Sequence, residues 1–294
     1  MKNILREKKD TLNRILILDG AIGSLLLSKG VKPDKYLWSS IANLTEPDIV
    51  KENHLDYIKA GADIITTNTF RTNPSAIKLS KYDINYEDFI EKSVHLASNL
   101  KQEFDILVAG SNAPAEDCYQ VERTLAYRDI EYNHKKHIDL LYESGCDIIL
   151  NETQSHLDEI EIISKFCSDN EIPFILSFYF DHNLNLLSGE PLFEAVELVL
   201  DFSPAAISFN CVPPKDFETF IKSYSLHFEW GFYLNCGKGE PTDEAITCSL
   251  SPDEYLKDLK KWLPKDPLFV GACCGSNPNH IKVIKEYLDG KIDN

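Results

Sequence analysis

No run of the 294-residue sequence is long and apolar enough to span a membrane. The richest apolar stretch, Ile15 to Leu27, is interrupted by Asp19, Gly20, Gly23 and Ser24, whereas a spanning helix needs about 18 or more apolar residues. The start, MKNILREKK, is basic like the head of an export signal, but the stretch after it holds an aspartate and no small-x-small cleavage site. A basic excess is missing too: 30 Lys and Arg stand against 47 Asp and Glu, a formal charge of −17. That surface repels phosphate backbones and anionic lipid, which argues against nucleic-acid and membrane partners. No Ser/Gly linker or low-complexity tract divides the chain, so residues 1–294 read as one domain with ample apolar material for a core. We expect a cytoplasmic protein, in which the eight cysteines stay reduced and available for metal or chemistry.

What recurs is a helix–Gly–strand unit. YIKAGADIITTNT around Gly61 aligns with LYESGCDIILNET around Gly145, so that Asp63-Ile64-Ile65 falls on Asp147-Ile148-Ile149 and Asn68 on Glu152. In each, a helical pattern ends at a glycine suited to a left-handed cap, and an apolar strand follows. Six more short apolar runs end in polar or small residues: Ile15–Leu18, Ile106–Ala109, Phe174–Leu176, Ala206–Phe209, Gly231–Leu234 and Leu268–Val270. Eight strands, most of them spaced for crossover helices, match a (β/α)8 barrel of the α/β class. A doubly wound open sheet shares this periodicity, but no G-x-G-x-x-G follows the first strand. In a barrel every strand end points at one mouth. That mouth would collect Asp19, Thr67, Asn68, Asn112, Glu152, Ser177, Asn210, Cys211, Asn235, Cys273 and Cys274.

The strongest local signal is Gly271-Ala272-Cys273-Cys274-Gly275. Adjacent cysteines do not readily bond each other. At a strand end they are either two small buried hydrophobes or two thiolates facing one ion. No C-x-x-C accompanies them, so an ordinary zinc knuckle is excluded and a third thiolate is required. Cys211, at the end of the sixth strand, is the candidate. Three protein ligands leave zinc a fourth, open position, the arrangement of a catalytic site. Cys146 and Cys167 read as core, Cys118 and Cys248 as loop residues, and Cys236 as a neighbour of the seventh strand end. Asp19 and Glu152 each follow an apolar strand, where a carboxylate is costly unless paired. They can fix an ammonium or act as acid and base, and Glu152 has the further option of capping a helix opened by Ser155. His134 and His137 sit three apart on a helical pattern and read as a solvated face. His280 reads as part of the start of the last helix.

Together LDGAIGS at Leu18–Ser24, GADIITTNTF at Gly61–Phe70, Glu152-Thr153, FNC at Phe209–Cys211 and GACCGSNPNHI at Gly271–Ile281 resemble the homocysteine S-methyltransferase family. The motifs run in the family's order over nearly the whole chain. The resemblance implies a zinc (β/α)8 barrel in which Cys211, Cys273 and Cys274 are the zinc ligands. It also implies that Asp19 and Glu152 hold the amino-acid end of homocysteine, with Thr67 and Asn68 nearby. The chain leaves no room for the folate and cobalamin modules of cobalamin-dependent methionine synthases, nor for the C-terminal arm of betaine-dependent enzymes. Tyr36-Leu37-Trp38-Ser39, and Asn235 followed by Gly239-Glu240, resemble the compact enzymes that use S-methylmethionine. Trp38 then offers a ring face to a cationic methyl donor, and Asn235 lies nearby. Asn235-Cys236-Gly237-Lys238, Ala272 and Ser111-Asn112-Ala113-Pro114 depart from that subgroup and leave the zinc ligands intact. The expectation is methyl transfer from a small-molecule donor to homocysteine, giving methionine, with no nucleic-acid or membrane partner. The alternatives are another thiol or a selenol as acceptor, betaine-like donors, and a non-catalytic zinc or redox-sensing barrel.

Overall fold

The eight apolar runs are eight strands in the computed structural model, which describes residues 3–80, 82–238, 247–248 and 250–291. They are β1 (Leu16–Ile17), β2 (Ile64–Thr66), β3 (Leu107–Asn112), β4 (Ile148–Gln154), β5 (Phe174–Phe178), β6 (Ala206–Asn210), β7 (Trp230–Leu234) and β8 (Phe269–Ala272). All are parallel, in the order β1-β8-β7-β6-β5-β4-β3-β2. The ring closes between its ends by a Leu18–Ile64 bridge. There Asp63 N–H donates to Ile17 O at 2.7 Å and Asp19 N–H to Ile64 O at 3.0 Å. The fold is a (β/α)8 barrel. No helix among the described residues is long and apolar enough to cross a membrane.

Strand periodicity of two divides the apolar residues between two cores. Leu16, Ile64, Leu107, Ile148, Ile175 and Phe269 fill the barrel. Their neighbours Ile17, Ile65, Val108, Ile149, Leu176 and Val270 face the helices. The N-terminal helix Ile4–Leu12 plugs the barrel's bottom with Leu5 and is tied down by Arg6–Glu229 and Lys9–Asp266 ion pairs.

The repeat around Gly61 and Gly145 has a structural basis. Both glycines cap helices in the left-handed region, at φ 111° and 108°. Both following aspartates accept from the backbone of the preceding strand, Asp63 from Ile17 N–H and Asp147 from Val108 N–H, each at 2.8 Å. Pro47 opens its helix and His280 completes the capping box of the last one, as the sequence suggests.

The reading of the two helix histidines fails. His134 and His137 are buried, not solvated. The helix Tyr127–Glu143 buries the stripe Ile130, His134, His137–Ile138 and Leu141, and a spacing of three fits the inner face as well as the outer. Asn112, placed at the mouth by the sequence, lies beneath it as the partner of both histidines, with Oδ1 3.0 Å from His137 Nδ1 and Nδ2 3.2 Å from His134 Nδ1.

Candidate active site

The strand ends open on a cavity of about 660 Å³. Asp19, Thr67, Asn68, Glu152, Cys211, Asn235, Cys273, Cys274 and Trp38 all line it. Ser177 and Asn210 do not. They are wholly buried and joined to each other, Ser177 Oγ donating to Asn210 Oδ1 at 2.7 Å.

Asn210 has a local task instead. Its amide clamps Thr153, accepting from Thr153 N–H and donating to Thr153 Oγ1, both at 2.9 Å. Thr153 sits at φ 59°, a conformation that costs a β-branched residue energy and persists only when its surroundings hold it. The pairing of β4 with β5 shifts register between Asn151 and Gln154. A bulge of this kind re-aims a side chain, and here it accompanies Glu152 at the cavity wall. No cap on the following helix comes from Glu152: that helix starts at Leu157 without a side-chain cap.

The Glu152 carboxylate accepts from Ser111 Oγ and, at 3.4 Å, from the Tyr233 hydroxyl. Asp19 accepts from Thr66 N–H at 2.7 Å and from Thr66 Oγ1. These bonds do not compensate for desolvation. Burial pushes the Glu152 carboxyl up to about 7. Burial also raises the Asp19 carboxyl well above the usual carboxylate range, with the Glu152 charge adding to it. Among the described residues neither acid is in an ion pair, so an ammonium is a ligand that would let both ionise.

A stability consequence follows. With its folded pKa raised above an ordinary 4.5 to about 7, Glu152 adds stability at low pH that is lost as pH rises through about 7. The ligand-free protein is expected to melt lower at pH 8 than at about pH 5, and Glu152→Gln to flatten that slope. Equal slopes in thermal melts of the two proteins would contradict the assignment.

Thr67 and Asn68 frame the cavity with their polar groups already engaged. Thr67 Oγ1 lies 2.7 Å from Thr69 Oγ1 and accepts from Ser111 N–H. Asn68 Nδ2 donates to Asn43 Oδ1 at 2.9 Å and to Ser39 O at 3.2 Å. Asn235 Oδ1 accepts from Gly237 N–H at 2.8 Å, which fixes the turn after β7. Gly239 and Glu240 lie outside the described residues. Trp38 is half-buried, its ring lying where a methyl on Gly23 would come within 2.3 Å of it. The ring stands edge-on to Phe70 at 6.3 Å.

Cys211 leaves β6 at φ 56° and meets the pair that follows β8. Cys211 and Cys273 are joined by a disulfide. Cys274 Sγ lies 3.6 Å from the Cys211 sulfur and 3.9 Å from that of Cys273. These two distances suit sulfurs that share a metal: a tetrahedral zinc with bonds of about 2.3 Å holds its sulfurs roughly 3.8 Å apart. The three residues are the one group of three or more such ligands found among the described residues. The donor set fits zinc once the disulfide is reduced. Cys146 and Cys167 are core residues, as the sequence suggests. Cys236 packs behind the cluster, its sulfur donating to Cys274 O at 3.2 Å. Cys248 falls in a two-residue strand paired with Gly237–Lys238 rather than in a loop.

Sequence reasoning missed the wall that the loop after β3 supplies. Cys118 and Tyr119 line the cavity, and Tyr119 lies within electrostatic range of Cys274. Arg123–Asp158, His156 Nε2 to Val121 O at 3.0 Å, and Arg71 to Glu116 O hold that loop in place. Ser111 and Tyr233, partners of Glu152, were also missed. A loop carries no periodicity to read, and the inward tyrosine of β7 looks like any strand aromatic.

Residues 16–288 match the model of the homocysteine S-methyltransferase family. The selenocysteine Se-methyltransferase of Brassica oleracea var. italica is 24% identical, over 98% of this chain and 92% of that protein. The homocysteine S-methyltransferase of Escherichia coli (strain K12) is 24% identical, over 96% of each. The metallated form of the E. coli homocysteine methyltransferase MmuM superposes with a TM-score of 0.78 at 24% identity, covering 95% of this chain and 99% of that one. Its oxidized form gives 0.76 at the same identity, covering 93% of this chain and 96% of that one.

Proposed function

This chain belongs to the homocysteine S-methyltransferase family, and from that premise we propose that it transfers a methyl group from S-methylmethionine to the thiol of homocysteine, with zinc held by Cys211, Cys273 and Cys274. The observation that carries the reading is the meeting of three sulfurs with two carboxylates, Asp19 buried and Glu152 half-buried, on one cavity. Bound there, zinc supplies the Lewis acidity that lets an incoming thiol lose its proton near neutral pH while its sulfur stays electron-rich. Asp19 and Glu152 pair with the substrate ammonium and aim its sulfur at the cysteines. The Trp38 face receives the sulfonium, an attraction of about 0.5–2 kcal/mol. The acceptor sulfur attacks the donor methyl carbon in line. The carbon–sulfur bond of the donor breaks, its electron pair stays on the donor sulfur, and the acceptor's proton leaves to solvent. A cation becomes neutral in the transfer, so the two acids also favour binding of the charged donor. Positioning of two reactants supplies much of the acceleration.

The test is an assay of the zinc-loaded enzyme with homocysteine and a donor panel of S-methylmethionine, S-adenosylmethionine and betaine. S-methylmethionine is expected to give the highest kcat/KM, and betaine to give none. Turnover with betaine alone would overturn the donor, and no methionine with any donor would overturn the reaction. A selenol acceptor, the substrate in the name of the Brassica relative, enters by the same geometry and belongs in the panel.

Cysteine sulfurs close enough to share a metal are also close enough to pair by oxidation, as Cys211 and Cys273 do. Chelated protein is expected to lose activity in air and to regain it only with reductant and zinc together. Chelated protein that keeps all its thiols titratable after prolonged aeration would contradict this.

A further inference from the structure

Asp19 and Glu152 answer only one end of an amino acid. The α-carboxylate of homocysteine is bonded to the same carbon as the ammonium, and it too must leave water. Most charged residues on the cavity wall have the wrong sign for it: Asp19, Glu116, Asp117 and Glu152 are acids. Among the described residues the lining cations are Lys35 and Arg71. Lys35 is exposed.

Arg71 is held in place. It follows β2 by five residues, beyond Thr66, the partner of Asp19. Its side chain is 18% exposed, and its guanidinium lies 5.7 Å from the centre of the Phe70 ring. Nη1 donates to Glu116 O, and Nη2 reaches the Asp117 carboxylate at 3.3 Å. A guanidinium carries five N–H donors in a fork that matches a carboxylate, and these two contacts engage only part of it. The Asp117 side chain is 57% exposed, so the pair is screened by solvent and exchanges at little cost. The guanidinium also lies within electrostatic range of Cys118, which in turn feels Cys274.

We propose that Arg71 is the receptor for the α-carboxylate of an amino-acid substrate, pairing with it while Asp19 and Glu152 pair with the ammonium, and thereby sets the preference of the site for an α-amino acid over a simple aminothiol. This rests on the reading of the cavity as the homocysteine site. The carboxylate belongs either to the acceptor or to an amino-acid donor, and two experimental arms separate these sources.

In the first arm, the zinc-loaded enzyme is assayed with homocysteine and with its decarboxylated analogue aminopropanethiol, at saturating S-methylmethionine. In the second, the acceptor is saturating homocysteine and the donors are S-methylmethionine and its decarboxylated analogue. Isothermal titration of each ligand gives a second readout that does not depend on turnover. Arg71→Gln is expected to lower kcat/KM for the carboxylated ligand of one arm by roughly 10- to 100-fold, mainly through KM, and to change its decarboxylated partner less than about threefold. The arm that responds names the source. Arg71→Lys, which keeps the charge without the fork, is expected to lose about tenfold in the same arm; it carries the comparison if the glutamine variant is unstable. Asp117→Asn, which removes only the loop pair, is expected to move both ligands of an arm alike. An Arg71→Gln enzyme, or in its stead an Arg71→Lys enzyme, that keeps the wild-type preference in both arms would reduce Arg71 to a loop tether and overturn the proposal alone. A wild-type enzyme that neither binds nor methylates homocysteine would overturn the reading of the cavity, and this inference with it.

Discussion

Changing any one of Cys211, Cys273 or Cys274 to alanine is expected to abolish methyl transfer and to remove most of the bound zinc. Structural zinc sites with four protein ligands bind with about 10–16 kcal/mol, or roughly 2.5–4 kcal/mol per ligand. A site with three ligands that loses one is therefore expected to bind roughly 60- to 700-fold more weakly, and purification to empty it. The control is built into the fold. Cys146 and Cys167 are buried cysteines of the outer core, so their alanine variants are expected to keep about one zinc per chain. Metal analysis of the five purified variants beside the wild type makes the comparison. Full zinc in one of the first three would remove that cysteine from the ligand set.

The second large effect is expected from Glu152→Gln. The change keeps the shape of the side chain and its place beside Ser111 and Tyr233. It removes the charge, and with it a charge-assisted bond to the substrate ammonium. Loss of such a bond in a desolvated site costs ~2–4 kcal/mol, or roughly 30- to 1000-fold in kcat/KM. Zinc content is expected to stay normal, because Glu152 is not among the three proposed ligands. The defect shrinks for a thiol without an amino group, since that acceptor never used the contact. Steady-state kinetics with both acceptors decide it. Equal slowing of the two would mean that Glu152 acts on the metal, the donor or the fold.

How much of this was legible in the sequence depends on what positions each residue. The barrel was legible because each buried strand is an apolar run ended by a polar residue, and the parallel topology sends all eight ends to one mouth. Cys211, Cys273, Cys274, Asp19 and Glu152 all follow from that rule, although they lie far apart in the chain. The same rule overreached at Asn112, Ser177 and Asn210. It says that a residue ends a strand, not which way its side chain turns, and these three turn away from the cavity to brace their neighbours. Asn210 shows what that bracing does: it holds Thr153 in a left-handed conformation beside the bulge at Glu152. His134 and His137 were misread for a related reason, since a polar pair at helical spacing fits a buried stripe as well as an exposed one. Arg71 and Tyr119 left no signal, because loop residues reach a site through tertiary contacts alone.

The most direct test of the central claim, that homocysteine enters the site as a ligand beside three cysteine sulfurs, is the absorption spectrum of the cobalt-substituted protein titrated with homocysteine. Three cysteine thiolates give sulfur-to-cobalt charge transfer in the near ultraviolet. The account predicts that homocysteine intensifies this band by about one further thiolate and shifts the visible bands of a tetrahedral ion, saturating at one equivalent per site. A spectrum unmoved by homocysteine at concentrations that saturate turnover would mean that the acceptor sulfur never reaches the metal, and the account would fail at its centre.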